Sequence, residues 1–283
     1  MEALRGRLEG ETTLFVTSKS LEATDSTRQA IREGANLVVV IGGDGTIHEV
    51  LNGFAIDGQL LNPACQLGII GSGTGQDAAR SFQLSKGTRE QIDAVCSHRF
   101  RPVDIGRVAY STDGGVAARQ LFLNECQQGI SAVVVQRFQA HHKWMGGFLG
   151  FGLTAVAVAA RHREQVIALE IDGKHVLTDQ LLGVVVANGG FAGGGMHFAP
   201  HSRVDDGLFD IILIHKQSVP SRLFNFPKIY SGGHINLSWI SSFQGRTVRL
   251  TSEEKVPMEA DGEYLGHLPC SIEVLHRALR LKA

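Results

Sequence analysis

Neither sign of charge is in excess in this chain: 27 Lys and Arg stand against 28 Asp and Glu over 283 residues. Without a broad basic field, no nucleic-acid duplex is expected as a partner. Cysteine is scarce as well. Cys65, Cys96, Cys126 and Cys270 lie far apart with no C-x-x-C pair, which argues against a zinc knuckle or a disulfide framework and for reduced thiols in a cytoplasmic protein. The opening "MEALRGRLEGE" lacks the apolar core of a secretory signal, and there is no low-complexity tract or solenoid-length repeat. One uncharged stretch, Trp144 to Ala160, is 17 residues long and holds four glycines. At about 1.5 Å per residue it falls short of the roughly 30 Å hydrocarbon layer, so it reads as a buried or groove-lining helix. Its flanks, "HHK" and "RHR", are basic, which leaves open a shallow membrane contact through Phe148, Phe151 and Leu153.

What is present is a globular composition, 43% apolar, organised in two regimes. Short β-branched runs (Thr12 to Thr17, Leu37 to Ile41, Leu67 to Ile70) alternate with helix-like stretches (Asp25 to Glu33, Ile47 to Phe54, Thr88 to Ser97). That alternation predicts βαβ units around a parallel sheet. After "RPVDIGRVAYS" the rhythm becomes strand after strand, from "QLFLNE" to "CSIEVLH", and predicts an antiparallel sandwich. The expected fold class is α/β in two domains: a nucleotide-binding α/β domain over residues 1–105 and a β-sandwich domain over 106–283, with 277–283 packing back on the first.

Two glycine loops echo one another. "GDGTIHE" (Gly43 to Glu49) and "GSGTGQD" (Gly71 to Asp77) both read G-x-G-T-x-x-acid, and each follows an apolar strand. The threonines fall where helix N-caps belong, with Glu49 and Asp77 completing capping boxes. Two helices would then start at one edge of the sheet, where strand ends border the ligand crevice and free N–H groups suit phosphate. The Walker A lysine and the dinucleotide spacing G-x-G-x-x-G are both missing. A nucleotide held mainly by backbone remains, with acids beside its phosphates. Asp44 in the middle of an anion loop makes sense as a partner, direct or through water, of the Mg²⁺ that travels with ATP.

The runs "GGDGTIHEVLNGF", "LGIIGSGTGQDAAR", "PVDIG", "LNECQQGISAVV", "VANGGFAGGGMHFAPHSRVDDGLFDI" and "MEADGEYLGHLPCSIEVL" follow in that order. The sequence thereby resembles the diacylglycerol kinase and sphingosine kinase catalytic family, above all its small bacterial lipid kinases, over nearly the whole chain. The resemblance implies an N-terminal α/β domain like that of NAD kinase, a C-terminal β-sandwich for the lipid, and an active cleft between them. It implies ATP bound by Gly42, Gly43, Asp44, Gly45 and Thr46, by Gly73 and Thr74 of the second loop, and by Thr17. Asp261 of "DGE" becomes the base on the lipid hydroxyl. An acid–water–Mg²⁺ network maps to Asp44, Asp77, Asp104 and Glu263. A further metal site maps to Asp206 with main-chain oxygens of Arg203 and Leu208.

The residues support part of this on their own. "ADGE" puts Asp261 and Glu263 two apart around a glycine, so one turn can present both carboxylates. Asp205 and Asp206 before Gly207 read equally as a plain turn, and the glycines 193–195 as close backbone approach or a crowded strand end. The chain departs from the resemblance in lacking the Asn-Pro-x-Ser-Gly-like opening and in carrying His48 where Asn is common. The expected activity is ATP-dependent transfer to a membrane lipid alcohol such as diacylglycerol, by a cytoplasmic protein peripheral to the membrane. A kinase of a soluble substrate such as NAD and a silent lipid- or nucleotide-binding protein stay open, as does a homodimer.

Overall fold

The computed structural model of the protein describes every residue except 1–3, 5, 9, 74, 142–146 and 283, and leaves the side chains of 141 and 147–149 undescribed. The N-terminal half builds α1 (Glu22–Arg32), β1 (Leu37–Gly42), α2 (Asp44–Gly53), β2 (Gln66–Gly71), α3 (Asp77–Ser81) and α4 (Thr88–Cys96). β1 and β2 are parallel and in register from Leu37 opposite Gln66 to Gly42 opposite Gly71, so both strands deliver their glycine loops to one edge. Val40, Leu67 and Ile69 of these strands pack with Ile47 and Leu51 of α2 and with Phe54 just past its end in one core. The α/β class expected from the alternation is the one observed.

The C-terminal half follows with β3 (Arg101–Ser111), β4 (Ala117–Phe122), β5 (Glu125–Gly129), α5 (Ile130–His141), α6 (Gly147–Ala159), β6 (Gln165–Ile171), β7 (Lys174–Ala187), β8 (Phe209–His215), α7 (Val219–Asn225), α8 (Lys228–Ser231), β9 (Ile240–Gly245), β10 (Thr247–Thr251), β11 (Pro257–Ala260) and β12 (Glu263–Leu281). Apart from the parallel pairs of β2 with β1 and β12, its ladders are antiparallel. β12, 19 residues long, is the spine. It pairs with β11, β3 and β10 and then, at Arg280 and Leu281, with β2 of the N-terminal half. The pairings β12–β11–β5–β7–β6–β10–β12 close on themselves, so the strands of this ring have no free edge, while β4 and β9 pair on one side only. Phe122 and Phe209 stack at its centre, ring centroids 5.7 Å apart, among Ile167, Leu181, Val186 and Leu250.

Three expectations are corrected. Thr12 to Thr17 forms no strand. Its Leu14, Phe15 and Val16 are exposed, and β1 pairs with β2 alone and keeps its other edge free, because strand propensity without a face to bury does not fix a strand. Thr46 is not an N-cap: Gly43, in an extended conformation, occupies that position, and α2 begins at Asp44. Glu49, expected in a capping box, instead accepts from the Ala23 amide and joins α2 to α1. Likewise Gln76, at φ 52°, precedes α3, so Asp77 is that helix's first residue and caps nothing.

The return of β12 to β2 ties the two halves together at a fully buried Leu281. Leu281→Ala is expected to lower unfolding stability by about 2–5 kcal/mol in urea titration. A loss below about 0.5 kcal/mol would show that this strand end is not part of the core.

Candidate active site

The two glycine loops touch backbone to backbone. A Cβ on Gly73 would stand 2.8 Å from the Gly43 Cα, and the Ser72 amide donates to the Gly42 carbonyl at 3.0 Å. A side chain on Gly73 would force the loops apart, whereas one on Gly43 would meet only an ordinary contact. Next to this contact α2 begins, and the first amides of its opening turn have no carbonyl to pair with inside the helix. They and the helix dipole make the loop edge attractive to phosphate. Gly42, Gly43, Asp44, Gly45, Thr46, Gly73 and Asp77 are brought together here. Thr74 lies outside the described residues. Thr17 sits on the exposed segment ahead of α1, and Gly42 and Gly43 approach no strand containing it.

Asp44 and Asp77 flank Gly75. One oxygen of Asp44 accepts from the Ala78 amide at 3.2 Å, and the other would lie 2.6 Å from a Cβ on Gly75. Asp77 is bound by Arg80 at 2.8 Å and by the Gly194 amide at 2.6 Å. Burial, and then the nearby Asp44 charge, push the Asp77 carboxyl up to about 6 against the pull of Gly194 and Arg80. The Gly194 amide reaches Asp77 because Gly193, Gly194 and Gly195 all take positive φ (60°, 84° and 103°), which explains the triple glycine.

The Asp261–Gly262 turn joins β11 to β12, Asp261 itself at φ 47°. Its carboxylate is held on both oxygens. Oδ1 accepts from the amides of Asn124 (2.8 Å) and Glu125 (3.3 Å), Oδ2 from the amide of Leu123 (2.8 Å) and faces His48 Nδ1 at 3.2 Å. His48 is buried on α2, with its Nε2 near Asn52 and Gln120. Burial disfavours its charged form, but the hydrogen bond and charge of Asp261 outweigh that and raise its pKa. Glu263 accepts from Gln139 at 3.1 Å and reaches toward Gly45 of α2.

Behind Asp261 lie two acids that the motifs do not reveal. Glu259 is buried and pushed up to about 8, by burial first and then by Asp261 and Glu263, while the Gly262 amide pulls the other way. Glu125 is raised well above the carboxylate range by burial and by Glu259, and its Oε2 is buried with no hydrogen-bond partner. At neutral pH Glu259 keeps its proton, and burial favours the neutral form of Glu125 as well. In "MEADGE" the apolar neighbours Met258 and Ala260 were the available signal for Glu259, whereas the mostly polar "NECQQG" carried none for Glu125.

One cavity of about 420 Å³ contains both ends of the site. Asp44, Asp77, Asp261 and Glu263 line its polar end, and Val134, Phe138, Phe151, Ala155, Phe226 and Ile229 line an apolar arm between α5, α6 and the α7–α8 segment. Asp104 does not line it. Its carboxylate is fully buried and spent on the amides of Gly207 (2.7 Å) and Arg277 (2.6 Å) and on His276 (2.9 Å), which anchors the 205–208 turn. In that turn Asp206 accepts from the Leu208 amide, and Arg203 is exposed. No group of three or more His, Cys, Asp or Glu side chains converges on a metal position among the described residues. The paired carboxylates Asp44 and Asp77 nonetheless match magnesium, which takes one or two carboxylates and completes its shell with water and phosphate oxygens.

The family described as the diacylglycerol kinase catalytic domain matches residues 2–108, and the one described as the YegS C-terminal NAD kinase beta sandwich-like domain matches 124–283. The diacylglycerol kinase of Bacillus subtilis (strain 168) is 30% identical over 275 residues, 96% of this chain and 85% of that protein. This chain belongs to the diacylglycerol kinase family. The Mycobacterium tuberculosis (strain H37Rv) diacylglycerol kinase is 28% identical over 89% of this chain and 78% of its own length. A crystal structure of a diacylglycerol kinase from Bacillus anthracis str. Sterne shares the fold, with a TM-score of 0.67 and 22% identity over 94% of this chain and 82% of that one. Membership in the diacylglycerol kinase family makes the protein a kinase with an alcohol group as acceptor.

Glu259 retains its proton to about pH 8 in the folded chain, whereas an unfolded glutamate loses it near 4.5. Between those limits the unfolded state binds fewer protons, so stability falls as pH rises. Glu259→Gln is therefore expected to be more stable than the wild type at about pH 9, with the difference fading by about pH 5. Equal unfolding midpoints in urea at both pH values would contradict the buried neutral acid.

Proposed function

We propose that this protein transfers the γ-phosphoryl group of ATP to the hydroxyl of a membrane glycerolipid such as diacylglycerol, at the cytoplasmic face of a membrane. The observation that carries the reading is the single cavity. Its polar end has amide donors and carboxylates suited to a magnesium nucleotide, and its apolar arm suits an acyl chain. Bound magnesium would supply charge neutralisation on the phosphates, held by Asp44 and Asp77. The chain's own contribution is positional, because phosphoryl transfer has a loose transition state and gains most of its rate from alignment and electrostatics.

The glycine loops and the start of α2 orient the phosphates toward the Asp261 turn. The acceptor oxygen attacks phosphorus as the bond to the leaving ADP oxygen breaks, and the hydroxyl proton passes to Asp261 Oδ2. Of the four contacts on that carboxylate only the one with His48 comes from a side chain, and it is the one able to yield to an alcohol. Protonated Glu125 and Glu259 add hydrogen-bond donors on the acceptor side without adding charge.

The test is a screen of lipid extract and purified diacylglycerol with labelled ATP and Mg²⁺. The wild type should label a lipid, and Asp261→Asn should lower kcat by about 10² or more, a typical loss for an acid–base residue. Equal transfer by both proteins would remove Asp261 from its role, and no labelled lipid from either would remove the lipid kinase reading.

A further inference from the structure

We propose that Glu125 and Gln127 form a polar subsite that selects an acceptor with a second free hydroxyl beside the one that is phosphorylated, so that the substrate class is a lipid diol such as a monoacylglycerol. The inference deepens the lipid kinase reading and rests on it for the reaction. The subsite itself rests on the cavity wall.

The first observation is the way β5 turns its side chains. β5 lies between β11 and β7, with Gln127 opposite Glu259 on one side and Val185 on the other. Side chains alternate along a strand, so Glu125 and Gln127 share one face, and Cys126 and Gln128 the other. Cys126 belongs to the sandwich core and accepts a hydrogen bond from the Gln128 amide. Glu125, Gln127 and Glu259 line the cavity instead, which Val134 and Phe138 of α5 continue as the apolar arm. The sequence expectation that Phe151 would touch a membrane is corrected here: it packs edge-on against Phe138, 5.5 Å away, inside the arm.

The second observation is that this polar face is incomplete. Glu125 and Gln127 are 5% and 3% exposed, yet Glu125 Oε2 and Gln127 Oε1 have no hydrogen-bond partner among the described residues. A buried polar group left unpaired lowers stability, and an apolar side chain of the same shape does not, so a ligand that completes both groups accounts for their presence on a cavity wall.

The chemistry of the two groups narrows the ligand. Burial and the neighbouring Glu259 favour the neutral form of Glu125, whose carboxyl then offers an O–H, while the Gln127 carbonyl oxygen accepts. A hydroxyl meets both at once. An ester carbonyl only accepts, which leaves Gln127 Oε1 without a donor. An ammonium only donates and calls for a charged partner, whereas Glu259 keeps its proton to about pH 8. The subsite adjoins the base: the Glu125 amide donates to Asp261 Oδ1 at 3.3 Å, and the Asp261 amide to the Glu125 carbonyl at 3.0 Å. Two hydroxyls of one small headgroup can therefore address the subsite and the base together.

The experiment compares three acceptors in detergent with labelled ATP and Mg²⁺ and the full chain: 1-octanoylglycerol, 3-hydroxypropyl octanoate, which lacks the second hydroxyl, and 1,2-dioctanoylglycerol. The wild type should use 1-octanoylglycerol with kcat/KM at least about 10²-fold above that for 3-hydroxypropyl octanoate, as sites built to bond a substrate hydroxyl reject analogues without it. Gln127→Met and Glu125→Met should lower that ratio to about 5 or less, while Glu125→Gln, which keeps a donor, should retain most of it. Both methionine variants should unfold at the wild-type temperature or above. Should Glu125→Met fold poorly, Gln127→Met asks the same question. A wild-type ratio within about threefold of one overturns the proposal, as does a ratio that folded Gln127→Met preserves, or a preference for 1,2-dioctanoylglycerol over 1-octanoylglycerol that Gln127→Met leaves intact. If no acceptor is labelled, the kinase reading falls, and calorimetric binding of the first two lipids decides the subsite alone. A preference for 1-octanoylglycerol that Gln127→Met abolishes upholds it, and equal binding of the two lipids by the wild type overturns it.

Discussion

The constraint on which the site depends is the seat of the Asp261 carboxylate. Three consecutive amides, Leu123 to Glu125, converge on it from the β4–β5 corner, His48 meets it from α2, and Asp261 itself comes from the β11–β12 turn. One carboxyl group thus joins the sandwich to the helix that starts beside the glycine loops. Charged acceptors make stronger hydrogen bonds than neutral ones, and a buried carboxylate needs such donors to offset its lost solvation. The seat of the proposed base is therefore also part of what holds the halves together.

A second bridge runs parallel to the first. Asp77, at the foot of α3, takes the Gly194 amide from the sandwich half, and Asp104 pulls β12 and the 205–208 turn together at its far side. In each case a carboxylate from one segment binds amides of another that only glycine-rich or turning backbone can present. Charge is the shared cost. Asp44, Asp77, Asp261 and Glu263 crowd one end of a cavity that also holds Glu125 and Glu259, and the chain relieves the repulsion by keeping some of these acids protonated. A divalent cation brought in with phosphates would relieve it further.

Much of this was legible in the residues. The β1–α2–β2 order, the paired glycine loops and the "DGE" turn are local patterns, and local patterns survive folding. The errors came where partners decide. Thr12 to Thr17 has strand chemistry but no face to bury, and Thr46 looked like a cap although Gly43, freer in backbone, takes the chain into the helix first. Nothing in the helix of His48 reveals that it will face a turn 213 positions away. The closed circuit of strands was hidden for the same reason, since β12 must reach four other strands, all of them distant in sequence except β11.

The most direct test of the central clamp is a double-mutant cycle on His48 and Asp261, with unfolding free energies measured for wild type, His48→Ala, Asp261→Ala and the double variant. The account predicts a coupling of about 1.5–3 kcal/mol, the range for a hydrogen bond to a charged group. Additivity within about 0.5 kcal/mol would mean that helix and turn do not share this carboxylate, and would contradict the account.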